Sequence, residues 1–300
     1  MMTVSMVAMR RNRIGGTFHG MFFVLAALAA LFLAPAAARA AESLILPAYL
    51  ADRGDGIPAS LFGTYIREKE LLFYPFYEYT RTGKFEYEPK DLGFAGSGEF
   101  HGKLEEHEAL VFFAYGFSDS LAIEFESALY SSADFTKDSN DNTSVRSLRE
   151  SGLGDTETSI RWRYLKETAS RPELTFFFQT VFPLQKNKRL IGTQHWEFSP
   201  GIVVTKGFSF GTLAARLSAA YDTGDNRLEF DEWAIDYVKR LSPLWRVVLS
   251  VEGVQQDEAS LIGEVQYTLS RNAVLKLNSG FGLVDKAPDV APEIGVMFRF

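Results

Sequence analysis

The last eight residues of the chain, EIGVMFRF at positions 293–300, decide the fold class. Ile294, Val296, Phe298 and Phe300 recur at every second position, and the residues between them form a second face that is more polar. Side chains of a β-strand alternate between two faces, so this stretch predicts a strand with one apolar and one polar face. Such a strand is typical of a barrel that crosses a bilayer, with lipid outside and water in the lumen.

The terminal strand also carries features of an assembly signal. Glu293 and Arg299 lie on its polar face, and the chain ends on an aromatic residue. Gly295, Phe298 and Phe300 resemble the carboxyl-terminal signature by which bacterial outer-membrane barrels are recognised for assembly. We therefore expect the barrel-assembly machinery and the outer-membrane lipid to be partners of this chain.

The amino terminus predicts export. Three arginines lie at positions 10–13, fourteen apolar residues follow at 21–34, and Ala38 and Ala40 occupy the two positions that a signal peptidase reads. The apolar run is shorter than the roughly 20 residues of a membrane-spanning helix. We therefore expect residues 1–40 to be a cleaved signal peptide rather than an uncleaved anchor.

Composition excludes several classes of protein. The chain contains no cysteine, so a lipoprotein, a disulfide and a thiolate metal site are all excluded. Four of the 31 Lys and Arg residues lie in the signal peptide, which leaves 27 against 38 Asp and Glu, a net charge of −11. This acidic balance argues against nucleic acid as a partner. No motif indicates a bound metal or a cofactor.

Alternating segments recur from residue 70 to the end, and no later apolar run is as long as a membrane helix. We predict an all-β fold, a transmembrane antiparallel up-and-down β-barrel of about twelve strands, spanning residues 70–300. Residues 41–69 precede it and either plug the lumen or hang in the periplasm. The predicted strands are 70–81, 104–116, 120–131, 154–165, 172–184, 195–206, 209–222, 229–240, 244–255, 259–269, 273–283 and 290–300.

The predicted connections alternate in length. Short turns lie near 117–119, 166–171, 206–208, 241–243 and 270–272, and the longest connections are 82–103 and 132–153. Short turns at one end and longer loops at the other are typical of bacterial barrels, whose short turns face the periplasm. A soluble sandwich also alternates; the export signal and the terminal Phe300 favour the membrane barrel.

Charged side chains fall on the predicted lumen face. Hairpin geometry predicts that Asp236 lies opposite Arg246 or close to it, and that Glu264 lies in the same way opposite or close to Lys276. Two interpretations remain open: a wet, charged pore that selects small polar solutes, or a ladder of ion pairs that holds a narrow barrel shut. The predicted lumen charges are Glu124, Glu126, Arg161, Arg163, Arg216, Asp236, Arg246, Glu252, Glu264, Lys276 and Arg299.

One segment invites an enzymatic interpretation. His195, Glu197 and Ser199 share a strand face, and some outer-membrane lipases use His and Ser on neighbouring strand positions. The spacing differs from the His-x-Ser expected of such lipases. We therefore predict no catalytic residues and a protein that is not an enzyme.

Several motifs resemble one family. SGLGD at 151–155 leads into RWRYL at 161–165, FPL follows at 182–184, GT at 192–193, and APEIGV closes the chain at 291–296. Together they resemble the family of outer-membrane barrels named for the phenol meta-cleavage (MetA) degradation pathway. The resemblance implies a barrel that passes small or aromatic compounds, and it assigns no catalytic residues. The leading hypothesis is a passive channel; the alternatives are a closed structural or surface-interaction barrel and a lipid-modifying enzyme.

Overall fold

The computed structural model describes residues 46–60, 62–224, 226–254 and 258–300. The predicted signal peptide at 1–40, its cleavage site and the first residues after it lie outside the described part of the chain. Within the described ranges, no helix has the length and hydrophobicity needed to cross a membrane.

Strands dominate the described chain. One short 3₁₀ turn, Ala48–Leu50, precedes them. The strands are β1 (Ile57–Pro58), β2 (Tyr65–Ile66), β3 (Leu71–Tyr87), β4 (Phe100–Gly116), β5 (Leu121–Lys137), β6 (Leu148–Gly152), β7 (Thr156–Leu165), β8 (Glu173–Val181), β9 (Glu197–Phe208), β10 (Gly211–Asp222), β11 (Arg227–Arg240), β12 (Trp245–Val254), β13 (Glu258–Ser270), β14 (Ala273–Gly282) and β15 (Ala291–Arg299).

Strands β3 to β15 form one closed antiparallel barrel. The last strand pairs with the first, with Ile294 opposite Tyr77 and Phe298 opposite Phe73, and β4 pairs with both β3 and β5. Strands β6 and β7 both pair with β5, so they act as one barrel strand that is interrupted at 153–155. The barrel therefore has twelve strands, and the predicted fold class is confirmed.

The two longest predicted connections, 82–103 and 132–153, are shorter in the structure. Strand β3 continues to Tyr87, β4 already begins at Phe100, and β5 runs to Lys137. Local charge on both faces of these extensions hides their period of two. Their inner faces nevertheless bury an apolar cluster that includes Phe85 and Phe135, and this burial supports strand pairing beyond the predicted ends.

Burial follows the predicted alternation on most strands. On β7, Trp162 and Tyr164 are 50% and 55% exposed, whereas the intervening Arg163 is 5% exposed. On β15, Ile294 is exposed as expected, but Phe298 is only 6% exposed. The ring of Phe298 stacks on Phe73 of the neighbouring strand, 6.2 Å between ring centroids, so an outward-facing position is covered by its neighbour.

Residues 46–69, called the plug below, enter the barrel, and most of the described residues from 52 to 66 are buried inside it. Strands β1 and β2 pair as a small hairpin whose Ile57 and Ile66 are fully buried. At its tip, Phe62 packs against Val238, Val248 and Ile262 from three consecutive barrel strands. The plug enters and leaves at the short-turn end.

Two barrel glycines permit this close approach. A Cβ atom at Gly207 would collide with the backbone carbonyl of Tyr49, and one at Gly116 would collide with that of Arg67. The plug backbone thus touches the barrel wall at positions where no side chain intervenes.

Candidate functional site: the barrel lumen

Arg53 anchors the plug at the short-turn end. Its guanidinium lies 3.1 Å from Glu167 and 2.9 Å from Glu173, and all three side chains are almost fully buried. Arg163 of β7 also reaches Glu173, at 3.1 Å, and donates to the carbonyl of Gly56. Burial alone lowers the pKa of Arg53, but the charges of Glu173 and Glu167 raise it above its ordinary value. Arg53 is therefore permanently charged and paired.

A second contact holds the middle of the plug. The Nε atom of Arg161 lies 2.7 Å from a carboxylate oxygen of Glu124, and both side chains are buried. Ser60 of the plug donates through its backbone N–H and its hydroxyl to the same carboxylate, and it accepts a hydrogen bond from Arg161. Glu124 and Arg161 therefore bind each other and the plug.

Lys276 holds the tip of the plug. Its Nζ lies 3.1 Å from Glu264 and donates to the carbonyl of Phe62 at 3.1 Å and to the hydroxyl of Thr64 at 3.3 Å. The register places Gln266, rather than Glu264, directly opposite Lys276, so the ion pair is diagonal. Lys276 is 1% exposed, and it thereby links the barrel wall to the plug.

The predicted pairing of Asp236 with Arg246 is wrong. The hairpin that joins β11 and β12 sets Arg240 opposite Arg246, which places Asp236 opposite Ser250. Asp236 accepts a hydrogen bond from the Ser250 hydroxyl. The error arose because the hairpin is centred at residue 243, later along the chain than the predicted pairing requires, and each residue by which the centre moves shifts the partner by two positions.

Apart from Glu126, the remaining predicted lumen charges lie in two different surroundings. Arg216 is buried and pairs with Glu232 at 2.6 Å, and Glu252 lies 3.8 Å away. Arg246 donates to Gln266. Together with Arg299 and other short-turn residues, Arg246 lines a basic cavity of about 140 Å³ at the short-turn mouth. The plug thus lies between this basic mouth and the outer part of the lumen.

An acidic chamber lies on the other side of the plug tip. It is a cavity of about 80 Å³ bounded by Phe62 of the plug and by Leu190 and Ile191 of the 182–196 loop. No Lys, Arg or His lines it among the described residues. Its seven carboxylates are Glu78, Glu106, Glu108, Glu126, Asp155, Glu157 and Glu293.

Sequence reasoning found only Glu126 of the chamber as a site residue. Glu106 and Glu108 fell at the edge of a strand predicted to begin at 104, where Lys103 and Glu105 place charge on the outer face as well. Where residues on both faces of a strand are charged, the sequence pattern does not show which of them face the lumen. The available signal was the apolar series at 110, 112 and 114, which extrapolates inward-facing positions back to 106 and 108.

Loops cover the outer end of the lumen. Leu92 from the 88–99 connection, Val145 from the 138–147 connection, and Leu190 and Ile191 from the 182–196 loop join one buried apolar cluster. This cluster, called the outer cap below, also buries the inner faces of the extended strands. The chamber therefore lies between the plug tip and the outer cap.

The segment with enzymatic features does not assemble a catalytic pair. His195 precedes β9 and lies against Gly224, whereas Ser199 is buried within β9 opposite Gln179. Among the described residues, no hydrogen bond joins the two side chains.

Comparison with known families identifies the chain. The model of the family described as "Putative MetA-pathway of phenol degradation" matches residues 108–300, almost two thirds of the sequence. The chain belongs to this family. The match covers β5 to β15 and part of β4, and it confirms the resemblance seen in the sequence motifs. No curated protein sequence matches the chain.

Solved structures share the fold at low sequence identity. An outer membrane channel from Pseudomonas putida F1 is 12% identical, with a TM-score of 0.58, over 81% of this chain and 99% of that chain. The KdgM porin in complex with disordered oligogalacturonate is 9% identical, with a TM-score of 0.48, over 76% of this chain and 99% of that chain. The translocator domain of the autotransporter NalP from Neisseria meningitidis is 11% identical, with a TM-score of 0.45, over 78% and 89%. The first of these supports the barrel fold.

Proposed function

We propose that this protein is a passive channel for small solutes in the bacterial outer membrane. The observation that carries the proposal is the arrangement of polarity in a closed twelve-strand barrel. Large apolar side chains such as Ile160, Trp162 and Leu249 are about half exposed on the outside, while Arg161, Glu124 and Lys276 are buried within. A soluble protein buries its apolar side chains instead, so this polarity suits a barrel surrounded by lipid.

The similar solved structure supports transport over catalysis. The similar structure from Pseudomonas putida F1 is described as an outer membrane channel, and the family name refers to phenol degradation. His195 and Ser199 are not hydrogen-bonded to each other, and this separation argues against the lipid-modifying alternative. A non-enzymatic channel is therefore the function that the geometry supports best.

A channel of this design must open. The plug and the outer cap narrow the lumen, and a twelve-strand barrel lies between the filled eight-strand and the open sixteen-strand class. We infer that conduction requires displacement of the plug from the short-turn end. The buried ion pairs of Arg53, Arg161 and Lys276 also favour a second candidate, a permanently closed structural barrel.

Conductance separates the two candidates. We expect the mature chain, refolded and inserted into a planar bilayer, to show discrete openings that select K⁺ over Cl⁻, because the chamber is lined by seven carboxylates and no cation. The selectivity should weaken in 1 M salt, where the Debye length falls to about 3 Å. The reversal potential in a KCl gradient measures it. A folded protein that never conducts, with or without the plug, would favour the closed barrel.

Assembly tests the location. Deleting Phe300 should strongly reduce the amount of barrel in the outer membrane and leave protein in the periplasm, because this residue ends the strand that closes the barrel on β3. Cell fractionation with an antibody to the protein measures the result. Phe210→Ala, which removes an exposed aromatic residue from a short turn, is the matched control and should assemble normally. Normal outer-membrane levels without Phe300 would contradict the proposed assembly signal.

A further inference from the structure

The acidic chamber holds an unbalanced group of charges. Elsewhere in the lumen, buried carboxylates such as Glu124, Glu173 and Glu264 pair with Arg or Lys. Among the described residues, no Lys or Arg forms an ion pair with Glu106, Glu108 or Glu126. Buried carboxylates without a counter-charge are costly, so a chamber of this kind is better suited to a cation than to water alone.

Glu126 carries a buried acceptor at the wall of this space. The residue lines the chamber, is 9% exposed, and its Oε2 atom has no hydrogen-bond partner. A buried charged oxygen without a donor is rare in folded proteins. Other chamber carboxylates do accept protein hydrogen bonds: Glu78 from Thr80 at 2.8 Å and Glu157 from Gln179 at 2.8 Å. The free acceptor therefore lies on the Glu126 side of the chamber.

The size and lining of the chamber restrict the cation. A cavity of about 80 Å³ exceeds the roughly 10–15 Å³ that one water molecule needs, yet it is small for a large solute. Phe62, Phe76 and Leu110 supply apolar surface beside the carboxylates. Within the described residues, no group of three or more acidic or His side chains is placed to hold a metal ion. An ammonium group with a short hydrocarbon chain fits all three features, because it donates up to three hydrogen bonds and buries its carbons.

We propose that the acidic chamber is a binding site for small alkylammonium cations. The ammonium group donates to Glu126 and Glu108, and its hydrocarbon part lies against Phe62 and Leu110. This inference rests on the proposed channel function, since it names the class of solute that the lumen takes up. The two can fail separately, because binding to the chamber is measured without any current.

The test uses three ligands of similar size and different charge: propylammonium, 1-propanol and propionate. Saturation-transfer NMR on the detergent-solubilised mature barrel reports weak binding of each. We expect a saturable signal for propylammonium and none for the alcohol or the anion. The double variant Glu108→Gln with Glu126→Gln should weaken propylammonium binding roughly tenfold or more, because it removes two charged acceptors.

Glu105→Gln is the matched control. Glu105 belongs to the same strand as Glu108, but it is on the outer face and pairs there with Arg81. This variant should bind propylammonium like the wild type, and heat-modifiable migration in SDS gels verifies that every variant is folded. Equal signals for propylammonium and 1-propanol, or complete displacement of propylammonium by the same concentration of K⁺, would overturn the proposal. Binding without conductance would refute the channel function and leave the site intact.

Discussion

Deleting residues 46–66 is expected to raise the single-channel conductance of the refolded barrel several-fold. The plug fills the lumen from the short-turn end as far as Phe62, and the chamber beyond its tip has only about 80 Å³ of free space. The barrel should still fold without it. Arg161 keeps Glu124, Lys276 keeps Glu264, and the twelve-strand hydrogen-bond ladder does not involve the plug. Planar-bilayer recordings of the mature and the shortened chain measure the difference.

A reversible variant guards against effects of the deletion on folding. The chain has no cysteine, and a Cβ atom at Gly63 would lie 2.8 Å from a methyl group of Val248. Gly63→Cys with Val248→Cys should therefore form a disulfide that fixes the plug tip to β12. Oxidised protein should rarely open, and reduction should restore openings to the wild-type level. Equal open probability in both redox states would contradict plug displacement as the opening step.

Local sequence pattern predicted the barrel but not the plug. The period-two alternation on β7, β13 and β15, the terminal Phe300 and the alternating connection lengths all report on one strand or one hairpin at a time. These patterns were sufficient to predict twelve strands and a closed antiparallel sheet. The place of residues 46–69 depends on contacts between Arg53 and Glu173, 120 positions apart. No local pattern encodes such a contact. The sequence therefore could not decide whether residues 41–69 plug the lumen or hang in the periplasm.

The lumen site was predicted in part for a related reason. Some charges alternate with apolar outward residues, and the sequence predicts their inward direction. Arg161 and Arg163 are examples, because they alternate with Ile160, Trp162 and Tyr164. Glu106 and Glu108 lie where charge occupies both faces, so their direction needed the strand register. The strand register also determines which charged side chains lie opposite each other. A shift of a few positions in the β11–β12 hairpin exchanged the predicted partner of Asp236, Arg246, for Ser250.

Replacing Lys276 with Met is expected to destabilise the folded barrel by about 3–5 kcal/mol, the usual cost of removing one partner of a buried ion pair. Lys276 and Glu264 are 1% and 2% exposed, and water cannot replace the lost charge. The ammonium group also binds Phe62 and Thr64 of the plug, so the variant loses contacts on both sides. Urea unfolding in lipid vesicles, followed by tryptophan fluorescence, measures the change.

The double variant identifies the cause of that loss. Glu264→Gln with Lys276→Met should cost less than the sum of the two single changes, because no unpaired charge then remains buried. Lys84, near the outer end of β3, lies 2.7 Å from Asp285 of the β14–β15 connection, and this exposed pair provides the control. Lys84→Met should change stability by no more than about 1 kcal/mol, since solvent screens an exposed pair. Strict additivity of the Glu264 and Lys276 changes would show that the barrel does not depend on their pairing, and the plug contacts of Lys276 would then account for its whole effect.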